Sequence, residues 1–541
     1  RRQSEIYLMA ASQPFGFVCK GGLDTNTNQL AALGAPGTAI ELQNFEVDSD
    51  SGYRRINGYT PYGTAKPNGT ADIKGIMAYA GGLLVCSGSA IMFTIDGITW
   101  VNVARAGTAS TDHTYAEYFV TGGGKTLVDR TGQGQTSFVY EEGIGDNGTV
   151  VILDGDNLPF TLTIKGTGAL DTRTYHGHEF VVNLAITPSV GTRHETRLVV
   201  GAGTSLYYSS VNSVTSFSTG AHLVLGDTIV GLKSFRDDVI IFCANSIHKF
   251  VNMGAGVNDG EAIVPITTNV GCLAAASIQE IGGDLVFLSS DGIRTVAGTA
   301  RIGDVELSSI SRQVQPTFAK LAKNINNLIV SSAVIRSKNQ YRLFYSEADE
   351  LVSGSKGIIG TLTNNGFEWS ETVGIQAHAL DSSFDTDGVE KYYHGDKNGY
   401  VYLHDQGKSF YNEGVAFNIN SKYITPFYDF GDVGSRKTLH YVKVSISPES
   451  TVIPTLRVRY DYNSVDAPQP TPYVMTTIPV PSVYGLSTYG GSSYGGIGDP
   501  MVRQAVQGSG HTANFSIISD DQKGSYRING LFIDYVPAGR R

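Results

Sequence analysis

The sequence predicts an all-β protein whose main body is a β-propeller of six to eight blades, with seven favoured. The chain of 541 residues contains 65 glycines and 29 tyrosines, and only 17% of its residues are charged, which is typical of turn-rich β proteins. Short apolar runs are interrupted by turn residues about every 8 to 12 positions, the spacing of small antiparallel sheets. Asp-Gly and Asn-Gly pairs, which tolerate the positive φ angles of two-residue hairpin turns, recur throughout. They begin at residues 57, 68, 96, 147, 154, 259, 291, 365, 387, 398 and 529.

The pattern divides the chain into three parts. Residues 1–70 have little strand periodicity and predict an extended N-terminal arm and platform segment, with a short helix possible at Asn28–Leu33. Residues 71–417 carry the repeating sheets of the propeller, with a Gly-rich insertion near 121–147. The blades are centred on Gly75–Val103, Thr149–Ile164, Glu179–Ser210, Ile229–Val251, Leu273–Val296, Ile329–Trp369 and Lys391–Leu403.

One helix interrupts the blades. Pro316 stands in the first turn, and Phe318, Leu321 and Ile325 follow at helical spacing, which predicts a helix over Pro316–Ile325 that packs outside the blades.

Residues 418–541 predict a β-sandwich platform domain because several segments alternate apolar and polar residues. These segments are Tyr423–Phe430, His440–Ser447, Thr455–Tyr462, Ala513–Ile518 and Gly530–Tyr535. Between them, residues 479–512 begin with a stretch so rich in Gly, Ser, Tyr and Pro that we expect a long loop.

Net charge, cysteine contexts and the length of apolar runs limit the classes of function that the sequence allows. A net charge of −10 argues against a protein that grips nucleic acid by its phosphates, but it is compatible with a surface past which nucleic acid slides, because acidic walls repel phosphate. Cys86, Cys243 and Cys272 lie in apolar contexts, so we interpret them as buried and reduced, which fits assembly in a cytoplasm. No apolar run reaches the roughly 20 residues of a membrane span, so no membrane anchor is expected.

No motif for catalysis, cofactor binding or a metal site is found. The sequence has no HExxH and no phosphate-binding loop. Acidic turns begin at Asp48, Asp154 and Asp385 and resemble the start of calcium loops, but the ordinary hairpin turn is the favoured interpretation. Thr94–Trp100 approaches an Asp-box, which marks a blade turn and not a catalytic group. His176 and His178 share one face of a predicted strand, where a solvated face is favoured over a metal pair.

The one candidate binding element is the aromatic loop that contains Tyr484, Tyr489 and Tyr494. Its tyrosines are suited to stacking on sugars or bases, but residues 479–500 contain no Arg or Lys, which usually accompany base stacking on a nucleic acid. We therefore expect a loop that docks on another protein or narrows a channel.

Short phrases of the sequence resemble the propeller-type tail nozzle proteins of short-tailed bacteriophages, also called tail tubular or tail hub proteins. Those proteins carry elements of the form GGLNT, ENF and RRRPGYT. The matching positions here are Gly21, Gly22, Leu23, Asn44, Phe45, Arg54, Arg55, Gly58 and Tyr59. The chain departs from the pattern at Asn57, which replaces the proline, and at residues 121–147.

The resemblance implies a structural virion protein with no enzymatic activity. It implies a ring, hexameric in the family, that assembles in the host cytoplasm below the adaptor and portal of the viral tail. Tail fibres or spikes would be further partners, and double-stranded DNA would pass through the channel without specific binding. Two alternatives stay open: a propeller glycoside hydrolase or lyase acting on a host surface polysaccharide, for which facing carboxylates are required, and a glycan-binding tail module.

Overall fold

The computed structural model describes most of the chain. The described residues are 12–28, 36–48, 52–88, 90–103, 114–118, 137–141, 148–155, 158–179, 186–255, 260–297, 309–385, 387–449, 452–475 and 501–538.

The N-terminal segment forms five short strands. They are β1 (Gln13–Val18), β2 (Glu41–Gln43), β3 (Phe45–Val47), β4 (Tyr53–Arg55) and β5 (Tyr59–Pro61). Most of these strands pair with strands from much later in the chain. Four of them join the two large sheets to which the last quarter of the chain contributes, and β5 joins a propeller blade. The segment predicted as an extended arm is therefore part of the sheets.

Four blades follow one another along the chain, and each is a separate sheet. Blade one contains β6 (Ile73–Tyr79), β7 (Gly82–Ser87), β8 (Ala90–Thr94) and β9 (Val101–Asn102). Blade two contains β10 (Thr114–Tyr118), β11 (Ser137–Glu141), β12 (Thr149–Leu153), β13 (Phe160–Lys165) and β14 (Thr174–Glu179). Blade three contains β15 (Val190–His194), β16 (Arg197–Ala202), β17 (Ser205–Tyr208) and β18 (His222–Val224). Blade four contains β19 (Ile229–Phe235), β20 (Asp238–Cys243), β21 (Ile247–Val251) and β22 (Ala262–Thr267).

The second part of the propeller is less regular. Blade five contains β23 (Gln279–Ile281), β24 (Asp284–Ser289) and β25 (Gly292–Thr295). Helix α1 (Gln315–Lys323) precedes β26 (Leu328–Ile335), β27 (Gln340–Glu347), β28 (Lys356–Thr363) and β29 (Gly366–Val373). Blade six contains β30 (Ala379–Phe384), β31 (Glu390–Gly395) and β32 (Val401–His404), and β5 completes it by pairing with β32.

The blades are arranged about a common axis. The strands nearest the axis are neighbours in the order β6, β11, β15 and β19. The turn Ala275–Ser277 before β23 contacts both β19 and β26, β23 contacts β26, β26 contacts β30, and β30 again contacts β6. Six separate sheets of three to five strands thus form a six-bladed propeller arrangement, within the predicted range and below the favoured seven. The count differs because β26–β29, which lie between blades five and six, belong to a larger sheet that leaves the propeller.

The remaining strands build two large sheets. They are β33 (Phe410–Asn412), β34 (Val415–Phe417), β35 (Ile419–Ile424), β36 (Arg436–Pro448), β37 (Thr455–Tyr460), β38 (Tyr473–Val474), β39 (Met501–Ala505), β40 (Ser509–Gly510), β41 (Ala513–Asp521) and β42 (Tyr526–Ala538). A nine-stranded sheet has the order β26-β27-β28-β29-β2-β35-β41-β37-β38. A seven-stranded sheet has the path β3-β4-β42-β36-β39, with β1 on β42 and β40 on β36. Strands β33 and β34 pair as a hairpin of their own.

One hydrophobic core joins the two large sheets. Val442 and Val444 of β36, Leu456 of β37 and Ile517 of β41 are fully buried in the same cluster as Ile533 of β42. Burial of such branched side chains is the main stabilising term of a sheet-on-sheet contact. The sandwich predicted for residues 418–541 stays an interpretation of these sheets, to which the N-terminal strands also contribute.

Three local predictions have clear outcomes. The helix predicted at Pro316–Ile325 is confirmed as α1, whose buried Phe318 meets the Trp369 ring edge-to-face at 6.0 Å. Within the insertion predicted near 121–147, residues 137–141 form β11 at the propeller axis. The long loop predicted at 479–512 is wrong for residues 501–505 and 509–510, which form β39 and β40. In both cases a short alternating strand follows a Gly-rich stretch that masks its periodicity.

Candidate functional site

The tyrosines predicted to form a docking or channel loop, Tyr484, Tyr489 and Tyr494, lie outside the described residues. Their role stays a prediction. The short helix considered at Asn28–Leu33 also lies outside the described residues except for Asn28.

Asp96 of the Asp-box-like segment and Asp385 of the acidic turns close hairpin turns in the structure. Asp96 Oδ1 accepts hydrogen bonds from the backbone N–H groups of Ile98 (2.8 Å) and Thr99 (3.0 Å), and these donors hold the pKa of Asp96 below its usual value. Asp385 Oδ1 accepts from the N–H groups of Asp387 and Val389, both at 2.9 Å. Carboxylates used in this way close hairpin tips.

In the part of the chain that the structure describes, no group of three His, Cys, Asp or Glu side chains is placed to hold a metal ion. The four cysteines are free and buried, as predicted for Cys86, Cys243 and Cys272. His176 and His178 lie on β14, two residues apart. None of the described helices combines the length and apolar character needed to span a bilayer.

Four of the positions that carry the resemblance, Gly21, Gly22, Leu23 and Asn44, lie at the contact between the N-terminal segment and β29. We call this contact the seam: residues 21–23 and 43–44 on one side, and residues 368–373 on the other. The Gly21 N–H donates to Glu368 Oε2 at 2.7 Å, and the Leu23 N–H donates to the Trp369 carbonyl at 2.7 Å. Gly22 has φ +65°, and a Cβ there would lie 2.7 Å from the Trp369 backbone nitrogen and oxygen. Only glycine fits where these two backbone segments approach each other so closely.

Asn44 continues the seam and joins two strands of the nine-stranded sheet. Its Nδ2 donates to the carbonyls of Val373 (3.0 Å) and Asn420 (2.8 Å), and its Oδ1 accepts from the Val373 N–H at 3.0 Å. Its backbone has φ +55°, a conformation in which Asn is among the better tolerated residues. These bonds reinforce the pairing of β29 with β2, whose register consists of Gln43 opposite Glu371.

The arginine pair fastens the N-terminal strands to the last strands of the chain. Arg55 is fully buried, and its guanidinium donates to Asp521 Oδ1 (2.8 Å) and to the Ile419 carbonyl (2.7 Å). Arg54 pairs with Glu46 and Glu449, both at 2.7 Å. A planar guanidinium reaches several acceptors at once, so a buried arginine can be satisfied where a lysine would not be.

Gly58 and Tyr59 place β5 in blade six. A Cβ at Gly58 would lie 2.0 Å from the Ser409 carbonyl oxygen, so this position allows no side chain without a backbone shift. The Tyr59 hydroxyl lies 3.1 Å from the Gly374 carbonyl and 2.9 Å from the Tyr411 carbonyl, and the ring stacks on Phe410 with centroids 5.1 Å apart. The N-terminal segment thereby completes the last blade.

A cluster of buried charges lies beside the arginine pair. Glu46 is paired with Lys338 and Arg342, each at 3.1 Å, and Asp405 lies 3.0 Å from Lys338. Burial opposes the ionisation of Glu46, but Lys338 and Arg342 outweigh it and hold the pKa of Glu46 below its usual value. A cavity of about 350 Å³ borders this cluster. Because its opposite charges neutralise one another, the cluster is suited to fixing strand positions and not to acid–base chemistry.

A second cavity, of about 480 Å³, lies on the propeller axis. It is lined by residues of β6, β15, β19, β26 and β30 and by the segment before β24. Its charged lining residues are Lys74, Asp154 and Lys233. Among the described residues of this lining, Asp154 is the single carboxylate, whereas glycoside hydrolysis uses a facing pair.

Sequence reasoning did not find the members of the charged cluster or the axial lysines. Glu46 and Arg342 are separated by 296 residues, and each stands alone in its local sequence. The available signal is that the first strand of a propeller blade lies nearest the axis, and Lys233 lies in the first strand of its blade.

Comparisons with known proteins find solved structures of low similarity. No protein-family model matches the sequence, and no curated protein does. The extracellular domain of the putative hybrid two component system BT4673 from B. thetaiotaomicron is similar with TM-score 0.36 and 13% identity over 64% of this chain. The match spans 40% of that chain, well below two thirds of its length.

Two further solved structures are similar at the same level. Raptor from Chaetomium thermophilum has TM-score 0.39 and 10% identity over 70% of this chain and 30% of that chain. The WD40 β-propeller domain of Doa1 has TM-score 0.35 and 12% identity over 65% of this chain and 98% of that chain. Similarity at this level carries no argument about function.

Proposed function

We propose that this chain is a structural virion protein, the tail nozzle of a short-tailed bacteriophage. In this proposal several copies, six by analogy with the family, form a ring below the adaptor and portal. The ring lines and gates the channel through which DNA leaves, and it catalyses no reaction.

The observation that supports this proposal most is the location of the positions that match tail nozzle proteins. Gly22, Asn44, Arg55 and Tyr59 each make a contact that few other residues could make, and each contact joins parts of the chain far apart in sequence. The resemblance therefore falls on residues that determine the architecture. Surface residues that match by chance would not be concentrated in this way.

The architecture suits a part that resists force. The nine-stranded sheet passes from β26–β29 at the propeller through β2 into the C-terminal strands, so hydrogen bonds run across the whole path. Force along such a sheet is shared by many backbone hydrogen bonds and by the packed core beneath them.

The charge of the chain suits a wall beside DNA. With a net charge of −10, a ring of copies repels phosphates, which favours passage over adhesion. A ring of identical subunits uses head-to-tail contacts, and it closes only when the rotation per subunit fits. Adaptor, portal, and tail fibres or spikes are the proposed partners.

The test is an assembly measurement with the adaptor protein of the same virus. Mass photometry of the chain mixed with adaptor should give a ring whose nozzle portion has about six times the 57.8 kDa of one chain. Electron microscopy of the virion should then place the ring at the tail tip. Adaptor alone is the control. Only monomers in the presence of adaptor, or release of sugars from host capsule or lipopolysaccharide by the purified chain, would contradict the proposal.

A further inference from the structure

The axial cavity contains a lysine without a counter-ion. Lys233 lies on β19 and lines the cavity, and within the described residues its ammonium group makes no hydrogen bond and no ion pair. Lys249 on β21 of the same blade offers a contrast, because its ammonium lies 3.3 Å from Asp238 Oδ2. Lys249 therefore has a carboxylate partner, whereas Lys233 has none among the described residues.

The electrostatic surroundings of Lys233 indicate a cation that is poorly compensated. Burial lowers the pKa of Lys233, Arg336 lowers it further, and Glu280 opposes them without cancelling the effect. A partly buried cation with this balance loses hydration that no protein group replaces. An anion in the cavity would restore the missing interaction.

The other polar groups of the lining do not supply that anion. The Ser331 hydroxyl donates to the Ala377 carbonyl at 2.6 Å, and the Ser332 hydroxyl donates to the Ala276 carbonyl at 2.5 Å. The Gln279 amide donates to the Ser332 carbonyl at 3.0 Å. The described residues of the lining include two lysines, Lys74 and Lys233, and one carboxylate, Asp154, so this part of the lining carries a positive formal charge although the chain as a whole is acidic.

We propose that the axial cavity is a binding site for a small oxyanion, a carboxylate or phosphate group, held by the ammonium group of Lys233 with Lys74 as the second cation. The volume of about 480 Å³ leaves room for the anionic group together with a small attached body or several waters. The site is independent of the proposed role in the tail, since it belongs to a single propeller.

The first experiment observes Lys233 directly. Lysines of the intact protein are methylated with ¹³C-formaldehyde under reducing conditions, and the Lys233 resonance is assigned by its loss in Lys233→Arg. Inorganic phosphate and acetate are then titrated separately at constant ionic strength, with chloride as the control. Either oxyanion should shift the Lys233 resonance and raise its pKa, and the Lys249 resonance should stay in place. The anion with the larger effect identifies the preferred group.

The second experiment measures binding through stability. A ligand that binds only the folded state raises the melting temperature by mass action, so phosphate or acetate should raise the Tm of the wild type. The apparent affinity derived from this rise in Tm should be at least tenfold weaker for Lys233→Met than for the wild type. For Lys249→Met it should be unchanged. If neither oxyanion moves the Lys233 resonance, or if Lys233→Met keeps the full rise in Tm, the proposed site is wrong.

Discussion

At the scale of single residues, Asn44 shows how one side chain can hold two strands together. It makes three side-chain hydrogen bonds to Val373 and Asn420 while its backbone sits at φ +55°. The polar groups it satisfies are partly buried, so removing the side chain leaves them without partners.

Replacing Asn44 by Ala should therefore destabilise the protein by about 3 kcal/mol, because the hydrogen bonds are lost and Ala is strained at positive φ. Asn339 is a matched control: it has φ +50°, and in the described part of the chain its side chain makes no hydrogen bond. Asn339→Ala should cost about 1 kcal/mol, the strain alone. Urea unfolding measures both. Equal losses for the two variants would show that the Asn44 hydrogen bonds add nothing.

The histidines of blade six make the stability depend on pH. His394 Nδ1 and His404 Nε2 lie 2.5 Å apart and are buried. Burial lowers the pKa of His394 to about 3, and burial followed by the charges of His394, Arg342 and Lys338 lowers the pKa of His404 well below its usual value. In the unfolded chain both histidines take up protons near pH 6.5, so the unfolded state binds more protons below that pH.

Stability should therefore fall as the pH drops below 6.5, by about 1.4 kcal/mol per pH unit for each histidine. Burial raises the pKa of Asp381 and of Asp396 to about 6, and these groups act in the opposite sense, stabilising the acid form. The variant His394→Gln/His404→Gln keeps both aspartates, so its stability should decline less on acidification than that of the wild type. Urea titrations from pH 7.5 to 5.5 make the comparison, with exposed His222→Gln as control. Parallel pH profiles for wild type and double variant would contradict the assignment.

At the scale of elements, the closure of blade six depends on a three-residue strand. Strand β5 pairs with β32 through Tyr59, Thr60 and Pro61, and the Tyr59 N–H also donates to the Ser409 carbonyl at 3.1 Å. Because β5 precedes the propeller in sequence and completes its last blade, it links the two ends of the propeller chain. A strand this short keeps its place only if the residues beside it fit closely.

Gly58→Ala should loosen this closure, because the new Cβ would lie 2.0 Å from the Ser409 carbonyl oxygen. We expect a loss of about 3 kcal/mol, at the upper end of overpacking costs, since the clash is with backbone. Hydrogen exchange at the β32 amides should accelerate more than at the amides of β20 in blade four. Gly226→Ala, where no atom lies within 4 Å of the added Cβ, should leave both unchanged. Uniform acceleration in all blades would argue against a local closure.

At the scale of the whole molecule, the sequence predicts what depends on local chemistry. The hairpin tips at Gly97 and Gly292 follow from their Asp-Gly pairs, and α1 follows from the spacing of Phe318 and Leu321. Partners far apart in sequence are not predictable in this way. Arg54 in the three-residue strand β4 lies opposite Arg527, and no periodicity signals that pairing. The resemblance marked Arg54 and Arg55, but their contacts with Glu46 and Asp521 required the structure.

The same long-range pairing explains the difference in blade count. Strands β26–β29 have the alternation of a blade, and sequence reasoning counts them as one. The Gln43–Glu371 pairing then continues them into the C-terminal sheet through β2. A register position of this kind depends on tertiary contacts, and the local pattern of β29 is the same with or without it.

The continuous sheet predicts how the whole chain unfolds. Since the seam couples the propeller to the C-terminal sheets, the wild type should unfold in one calorimetric transition whose van't Hoff and calorimetric enthalpies agree. Gly22→Ala should uncouple them, because its Cβ would lie 2.7 Å from the Trp369 backbone. The melting curve should then split, with the less stable part melting first.

Gly69→Ala is the control that separates this clash from backbone strain. Gly69 has φ +61°, close to the +65° of Gly22, and no atom lies within 4 Å of its added Cβ. That control should lower Tm slightly and keep a single transition. If Gly22→Ala also melts in one transition at an unchanged enthalpy ratio, the seam does not couple the two parts, and a sheet that carries force from propeller to platform loses its physical basis.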